Sequence, residues 1–412
     1  MQNCLNALSS IMTWYVSQFP ESAAQCLFDV SQSLLNSVPY VKLLEEQPDA
    51  VDTYHNESYE EISRLRKKAE QKNIHAIMYL AKLHKQGYAG IFRDLNEALR
   101  LYTVCMNVAT DDTERAMALD EMSKICYSRH QYENSFCYAL ESAELGNARI
   151  MVHLAFLYSE GIGVSPNKKA AEKWFIKATE SNCPLTSVAY YDLAKLYMYS
   201  ASDRPIRQTL LQAAAQHHVA SCYRIGKAYA LGVYDFPKDF NEAKGWLELA
   251  ADEGNSDAMY ELGRLYYLGD STFPPDFSVA QQWFERGMQL KHVGSTYHLG
   301  YLHEFGFFGD ADYGKAKVYY KEAAEQGHLY SQYNYGFLCL METQKVKPEY
   351  KQAKEYLERA AQQDFAMAYC ALGEMEYLGL GQTPRKSRAR ILFNEARNRG
   401  DVWPDIILDA LS

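Results

Sequence analysis

The sequence predicts an all-α fold: a right-handed α/α superhelical solenoid of about nine helix-turn-helix repeats over residues 58–400. Two recurrences predict it. The first is a small residue followed by Leu-x-Tyr or a close variant, complete in Leu262-Gly263-Arg264-Leu265-Tyr266. Leu154-Ala155-Phe156-Leu157-Tyr158, Leu193-Ala194-Lys195-Leu196-Tyr197 and Leu299-Gly300-Tyr301-Leu302-His303 repeat it with little change. The small residue returns at Ala81, Ser123, Ala155, Ala194, Gly226, Gly263, Gly300, Gly336 and Gly373, with gaps of 42, 32, 39, 32, 37, 37, 36 and 37 residues. A period between roughly 20 and 50 residues marks stacked units that bury their apolar faces against their neighbours.

The second recurrence lies 16 or 17 residues further on, at Ala98, Ala171, Ala243, Ala280, Ala316, Ala353 and Ala389. Three residues later comes a large side chain: Leu101, Trp174, Trp246, Trp283, Tyr319, Tyr356 or Leu392. Four beyond that the residue is usually small again, as at Ala178, Ala250, Gly287, Ala323, Ala360 and Ala396. These positions share one helical face. The small residues let two helices approach, and the large one is expected to fill the gap between them. Each unit therefore reads as helix A, a loop, helix B and a turn.

Taken in order, residues 2–38 come first. Leu5, Leu8, Met12, Tyr15 and Phe19 fall on one helical face, as do Ala23, Leu27, Val30 and Leu34 after Pro20. Residues 1–57 thus read as an amphipathic helical hairpin followed by a polar linker at 43–57. The hairpin fits a cap over the first repeat, which solenoids need, or a docking or membrane-surface element, against which its lack of Arg and Lys argues. In the repeats, Gly146-Asn147, Gly254-Asn255, Gly327-His328 and Gly400 stand where helix B should stop. After residue 400, Trp403, Ile406, Ile407 and Leu411 make a short apolar tail over 401–412 that could cap the far end.

The loop Gly161-Ile162-Gly163-Val164 running into Lys169-Ala170-Ala171 completes the pattern, with partial copies at Leu231-Gly232-Val233 and Gly379-Leu380-Gly381. With these loops the chain resembles the Sel-1-like repeat family, a branch of the tetratricopeptide-type helical solenoids. The units around Ser123 and Ala194 lack loop glycines, and Arg204-Pro205 stands where a helix B should open. Shorter loops are expected at both. The resemblance implies a protein-interaction adaptor or scaffold, which in bacteria serves signalling, envelope assembly or delivery into host cells as an effector. It also implies that helix A lines the concave face and helix B the outside. A cysteine-rich branch of the family, with a disulfide in every unit, suggests the alternative of a penicillin-interacting or other hydrolase.

Charge and cysteine content narrow the classes. Residues 1–57 hold Lys42 against Glu21, Asp29, Glu45, Glu46, Asp49, Asp52 and Glu57, leaving 41 basic against 45 acidic residues in the rest. Neither part has the basic footprint that nucleic acid requires. The first basic residue is Lys42 and no run of about 18 apolar residues occurs, so neither a secretory leader nor a membrane span is expected. The nine cysteines, irregular and odd in number, favour reduced thiols and a cytoplasmic site of action, delivery into a host cell remaining open.

No catalytic constellation emerges, and no metal or cofactor is expected. Ser165-Pro166-Asn167-Lys168 fits the Ser-x-x-Lys spacing of penicillin-interacting enzymes, but it falls in an A–B loop with no Lys-Thr-Gly after it. His217-His218 is expected to end a helix B, where histidine meets the negative end of the helix.

What remains is the inner surface. Three residues before each small residue stand Tyr191, Tyr223, Tyr260, Tyr297 and Tyr333. One after it stand Lys195, Lys227, Arg264, Tyr301 and Phe337, and four after it Tyr267. The tyrosines read either as packing or as a ladder for a partner. The Lys-Lys-Arg series reads either as solvated surface or as a site for an acidic or phosphorylated segment. These eleven residues form the candidate partner-binding site.

Overall fold

The computed structural model describes residues 59–87, 91–181, 183–199, 204–341 and 348–400. The hairpin and linker expected over 1–57 and the tail at 401–412 lie outside the described residues. Regular structure among the described residues is helical throughout. The chain divides into two compact units, Met1–Val108 and Ala109–Ser412. In the first, α1 (Tyr59–Glu70) packs on α2 (Ile74–Gln86), and α2 on α3 (Leu95–Val108).

The second unit is a succession of A/B pairs. They are α4 (Asp112–Ser128) with α5 (Tyr132–Glu144), α6 (Ala148–Glu160) with α7 (Lys168–Glu180), and α8 (Thr186–Met198) with α9 (Ile206–Ala214). Next come α10 (Val219–Leu231) with α11 (Phe240–Asp252), α12 (Ser256–Leu268) with α13 (Phe277–Gln289), and α14 (Val293–Glu304) with α15 (Tyr313–Glu325). The last are α16 (Leu329–Leu340) with α17 (Tyr350–Gln362), and α18 (Ala366–Leu378) with α19 (Lys386–Asn398). Within this unit consecutive helices pack on one another from α4 to α19. The A helices α6 and α8, α10 and α12, α12 and α14, and α16 and α18 also come within 8 Å of each other between Cα atoms. With α2 and α3 the described residues hold nine pairs, the number the repeats predict.

Local chemistry sets the ends. Asn147 and Asn255 cap A helices by accepting backbone N–H groups of Arg149 and Ala258, and Asn167, Asp239, Asp276 and Asp312 cap B helices in the same way. Gly161, Gly232 and Gly379, with φ of 71°, 69° and 70°, close the preceding A helices in the left-handed region. Each loop then folds back. The N–H groups of Asn167, Asp239, Asp276, Asp312, Glu349 and Arg385 donate to carbonyls of Tyr158, Tyr229, Tyr266, His303, Cys339 and Glu376 at 2.7 to 3.0 Å.

The two atypical units differ from expectation in one respect. The loop after α4 is short, with His130 at φ 59° doing the work of a glycine. The loop after α8 is not shortened. It spans as many residues as Gly161–Asn167, and the irregularity falls on α9 instead, which has only 9 residues behind Pro205.

The helix crossing corrects the register by one residue. A Cβ at Gly226, Gly263, Gly300, Gly336 or Gly373 would lie 2.5 to 2.8 Å from Leu247, Phe284, Tyr320, Leu357 or Phe393. Those five side chains are fully buried, and each follows the large residue expected to fill the gap. Trp246, Trp283, Tyr319 and Leu392 are only half-buried, on the flank of the contact. Residues three and four after the recurring alanine both lean toward the partner helix, and the second of them reaches it.

A third feature was not foreseen. Where α2, α6 and α12 carry an Asn cap, α10, α14 and α16 carry His218, His292 and His328. His292 Nδ1 and His328 Nδ1 accept the N–H groups of Ser295 and Ser331 at 3.1 and 3.2 Å. His218 Nδ1 lies 2.9 Å from Ser221 Oγ. His217-His218 therefore does not end α9: His217 turns the chain at φ 58°, and His218 opens α10. Burial pushes His218 down to about 4 and His328 down to about 3.

Two outcomes follow from these contacts. Gly263→Val should lower stability by about 1–3 kcal/mol or more, because Phe284 has no free space to retreat into. Gly245→Ala, on α11 with nothing within 4 Å of the added Cβ, should be neutral or slightly stabilising. Thermal melts compare the two, and an unchanged Gly263→Val melt would refute the crossing. The second outcome concerns acid. Histidine in the unfolded chain titrates near 6.5. Stability from the neutral rings of His218 and His328 is thus complete above pH 6.5 and lost as pH falls toward 4, by roughly 1 kcal/mol per ring per pH unit. Asp192, pushed up to about 6 by burial, acts with the opposite sign. Melts of His218→Asn with His328→Asn, which keep a capping side chain, should show a flatter decline between pH 7 and 5 than the parent.

Candidate functional site

The candidate residues lie on the A helices α8, α10, α12, α14 and α16, all in the second unit. Their surroundings separate them into three groups.

The tyrosines three before the small residue face the next repeat. Tyr191 lies against His218 and Tyr260 against His292, each with ring centroids 4.7 Å apart. Tyr297 meets His328 at 4.8 Å, and Tyr333 meets Phe365 at 5.2 Å. Each of these rings covers the residue that opens the next A helix. Tyr223 is deeply set, and burial, with Glu261 nearby, drives its phenol far above the ordinary range. This row is consumed by the junctions between repeats. The signal that could have revealed it is His-x-x-Ser at 218–221, 292–295 and 328–331, a capping pair at helical spacing.

The basic series lies along successive A helices, but its charges are answered. Lys195 Nζ is 3.8 Å from Asp192 Oδ1. Lys227 Nζ and Arg264 NH1 each lie 3.2 Å from a different oxygen of Glu261. Arg224, which the sequence reading passed over, donates from Nε to the Tyr191 hydroxyl at 3.0 Å. Asp192, Arg224 and Glu261 stand two before the small residue, three from the cations, and therefore on the same stripe. Lys227 and Arg264 together with Glu261 carry one net charge between them, not two.

The aromatic residues gather further along. Tyr267 contacts Phe277, Phe307 and Tyr301 at 5.9, 5.5 and 6.1 Å between centroids. Tyr301 also lies 4.5 Å from Phe305 and 6.1 Å from Phe307. Phe337 stacks on Tyr333 at 6.1 Å. Tyr267 belongs with the loop core around Phe277 and Phe307, whereas Tyr301 keeps part of its ring toward solvent beside the exposed Phe305.

Other candidates have structural surroundings. Lys168 donates to the Tyr199 carbonyl at 3.3 Å, and Asn167 caps α7, so the Ser-x-x-Lys stretch is occupied by loop and cap contacts. Among the described residues no group of three or more His, Cys, Asp or Glu side chains is placed to hold a metal ion. No described helix is long and apolar enough to cross a membrane.

Comparison with known proteins bears on the whole array. Two fission yeast proteins (Schizosaccharomyces pombe) are similar to part of it. Chitin synthase regulatory factor 3 is 25% identical over 194 residues, 44% of this chain and 20% of that protein. An uncharacterized Sel1-like repeat-containing protein is 24% identical over 188 residues, 45% of this chain and 24% of that one. The chain thus matches about a quarter or less of the length of either relative. Among solved structures, a protective antigen of uropathogenic Escherichia coli with an SLR fold matches with a TM-score of 0.64 and 23% identity, covering 84% of this chain and 73% of that one. A Sel1 repeat protein from Oxalobacter formigenes matches with a TM-score of 0.51 and 26% identity, covering 59% and 98%. The Sel1 repeat model matches residues 74–103, 150–183, 187–208, 219–255, 256–292, 294–328, 329–365 and 366–401. The pair α4/α5, whose loop has no glycine, is the stretch it passes over. By these matches the chain belongs to the Sel1 repeat family.

Proposed function

We propose that this chain is a non-enzymatic adaptor that holds a segment of a partner protein along its row of A helices, on the concave face of the array. The observation that carries the reading is the register of side chains that packing leaves over. Lys195, Lys227, Arg264, Tyr301 and Phe337 occupy one position on consecutive A helices and stay half-exposed. The repeats build the scaffold, and this position is free to vary for recognition. Tyr191, Tyr223, Tyr260, Tyr297 and Tyr333 stiffen the junctions behind it, and Tyr267 backs Tyr301. The name of the yeast relative, a regulatory factor for chitin synthase, is in keeping with a regulatory adaptor. The free cysteines Cys126, Cys137, Cys183, Cys222 and Cys339 fit a reducing compartment such as the cytoplasm.

The test is recovery of partners by affinity purification and mass spectrometry from the native host. Tyr301→Ala with Phe337→Ala should abolish recovery, since a buried aromatic anchor is worth roughly 2–4 kcal/mol. Lys227→Gln with Arg264→Gln is preferred to charge reversal, which would crowd two further carboxylates against Glu261. It should weaken recovery only where the partner is acidic, and then in a salt-dependent way. The outer-face control is Lys244→Glu with Lys321→Glu. Lys354, although on a B helix, is unsuitable because it pairs with the buried Glu376 at 3.5 Å. Loss of recovery confined to the outer-face variant would move the site to the B helices.

A further inference from the structure

Five B helices carry a ring three residues after their recurring alanine, and four of those rings are covered. Lys177 lies over Trp174 at 4.4 Å, Arg286 over Trp283 at 4.3 Å and Arg359 over Tyr356 at 4.7 Å, measured to the ring centroid. His303 stacks on Tyr319 at 5.6 Å. Each of the three cations stands three residues after its ring, on the same side of the helix. On α11 the pattern breaks. Leu249 takes the place of the cation and is 57% exposed. Among the described residues no cation or second ring lies against Trp246, which packs on the core of its repeat and stays half-buried.

A second departure adjoins the first. Two residues after the recurring alanine, the other six helices of the series carry Arg100, Lys173, Gln282, Val318, Glu355 and Ile391, whereas α11 carries Gly245. Its φ is not positive and nothing lies within 4 Å of an added Cβ, so neither backbone geometry nor packing calls for glycine. In the middle of a helix, glycine is less stable than alanine. What it provides is space. Asn241, Glu242, Gly245, Trp246 and Leu249, on one side of α11, line an open cleft of about 400 Å³.

The cleft is acidic. Helix α11 bears Glu242, Glu248 and Asp252 against Lys244. Lys244 approaches Glu248 at 3.8 Å and Arg286 approaches Asp252 at 3.6 Å. Glu242 is exposed and has no side-chain partner among the described residues. It stands one turn before Trp246 and lines the cleft with it. An apolar occupant would strip water from this carboxylate and return no hydrogen bond. A guanidinium answers both groups, because its flat face stacks on an indole while its edge pairs with a carboxylate. We propose that the Trp246 cleft receives an arginine side chain of a partner protein, which supplies the cation that other repeats supply from their own helices. The cleft lies on a B helix and is a contact independent of the A row.

The probe is acetyl-Gly-Arg-Gly amide, titrated into the isotope-labelled full chain while the indole N–H resonances of its five tryptophans are followed by NMR. The Trp246 resonance is the one lost in Trp246→Phe. It should shift saturably, while those of Trp174 and Trp283, whose rings are already covered, stay in place. The same peptide with citrulline, which keeps the shape without the charge, or with leucine should not move the Trp246 resonance. The lysine peptide should bind more weakly than the arginine peptide. Glu242→Gln should weaken the arginine peptide about threefold or more. Gly245→Arg, at a site with nothing within 4 Å of the new Cβ, should keep the melting temperature of the parent and abolish the titration by filling the cleft. The proposal is overturned by the absence of a saturable shift, by an equal response to citrulline or leucine, or by an equal shift at Trp283. Lysine binding as tight as arginine, or an unchanged titration in Glu242→Gln or in Gly245→Arg, overturns it as well.

Discussion

The architecture depends on one contact, the seat of a large helix B side chain directly on the backbone of helix A. At Gly226, Gly263, Gly300, Gly336 and Gly373 the absence of a side chain is filled by Leu247, Phe284, Tyr320, Leu357 and Phe393. The approach sets the distance and angle within each pair. The buried small residues of helix B, such as Ala250, Ala323 and Ala360, then let the next A helix settle against the other side. A pair whose crossing were wedged open would displace every later pair, because in a stacked array each unit is positioned only by its neighbours.

A second layer of contacts turns pairs into an array. The ring three residues before the crossing reaches the histidine that precedes the next A helix, and His292 and His328 in turn cap that helix. Crossing, ring and cap thus form a continuous chain of contacts from one repeat to the next. This explains why the tyrosines are so regular while the residues one step beyond the crossing differ from repeat to repeat. Regularity marks the residues that hold the array together.

Much of this was legible in the residues themselves. The period, the small residue, the loop glycines and the helix stops are all local signals, and local signals survive in a sequence. The filler of the crossing was not, because Trp246 and Leu247 both point toward helix A and the bulkier side chain draws the eye. The pairing of Lys227 with Glu261 was missed because it joins two repeats, with partners in different periods. Nor did the Ala194 unit announce that Pro205 would shorten its helix and not its loop.

Glu261 gives one junction a mechanical character of its own. Its pair with Arg264 lies within α12, three residues apart, and survives any motion of that helix as a body. Its pair with Lys227 spans α10 and α12 and stretches when the two move apart. Because one carboxylate serves both, widening that junction releases a lysine to water and never strands the acid. The array therefore has a place where it can flex at small electrostatic cost, and each flexing movement would alternately sheathe and unsheathe a positive charge on the A-helix face.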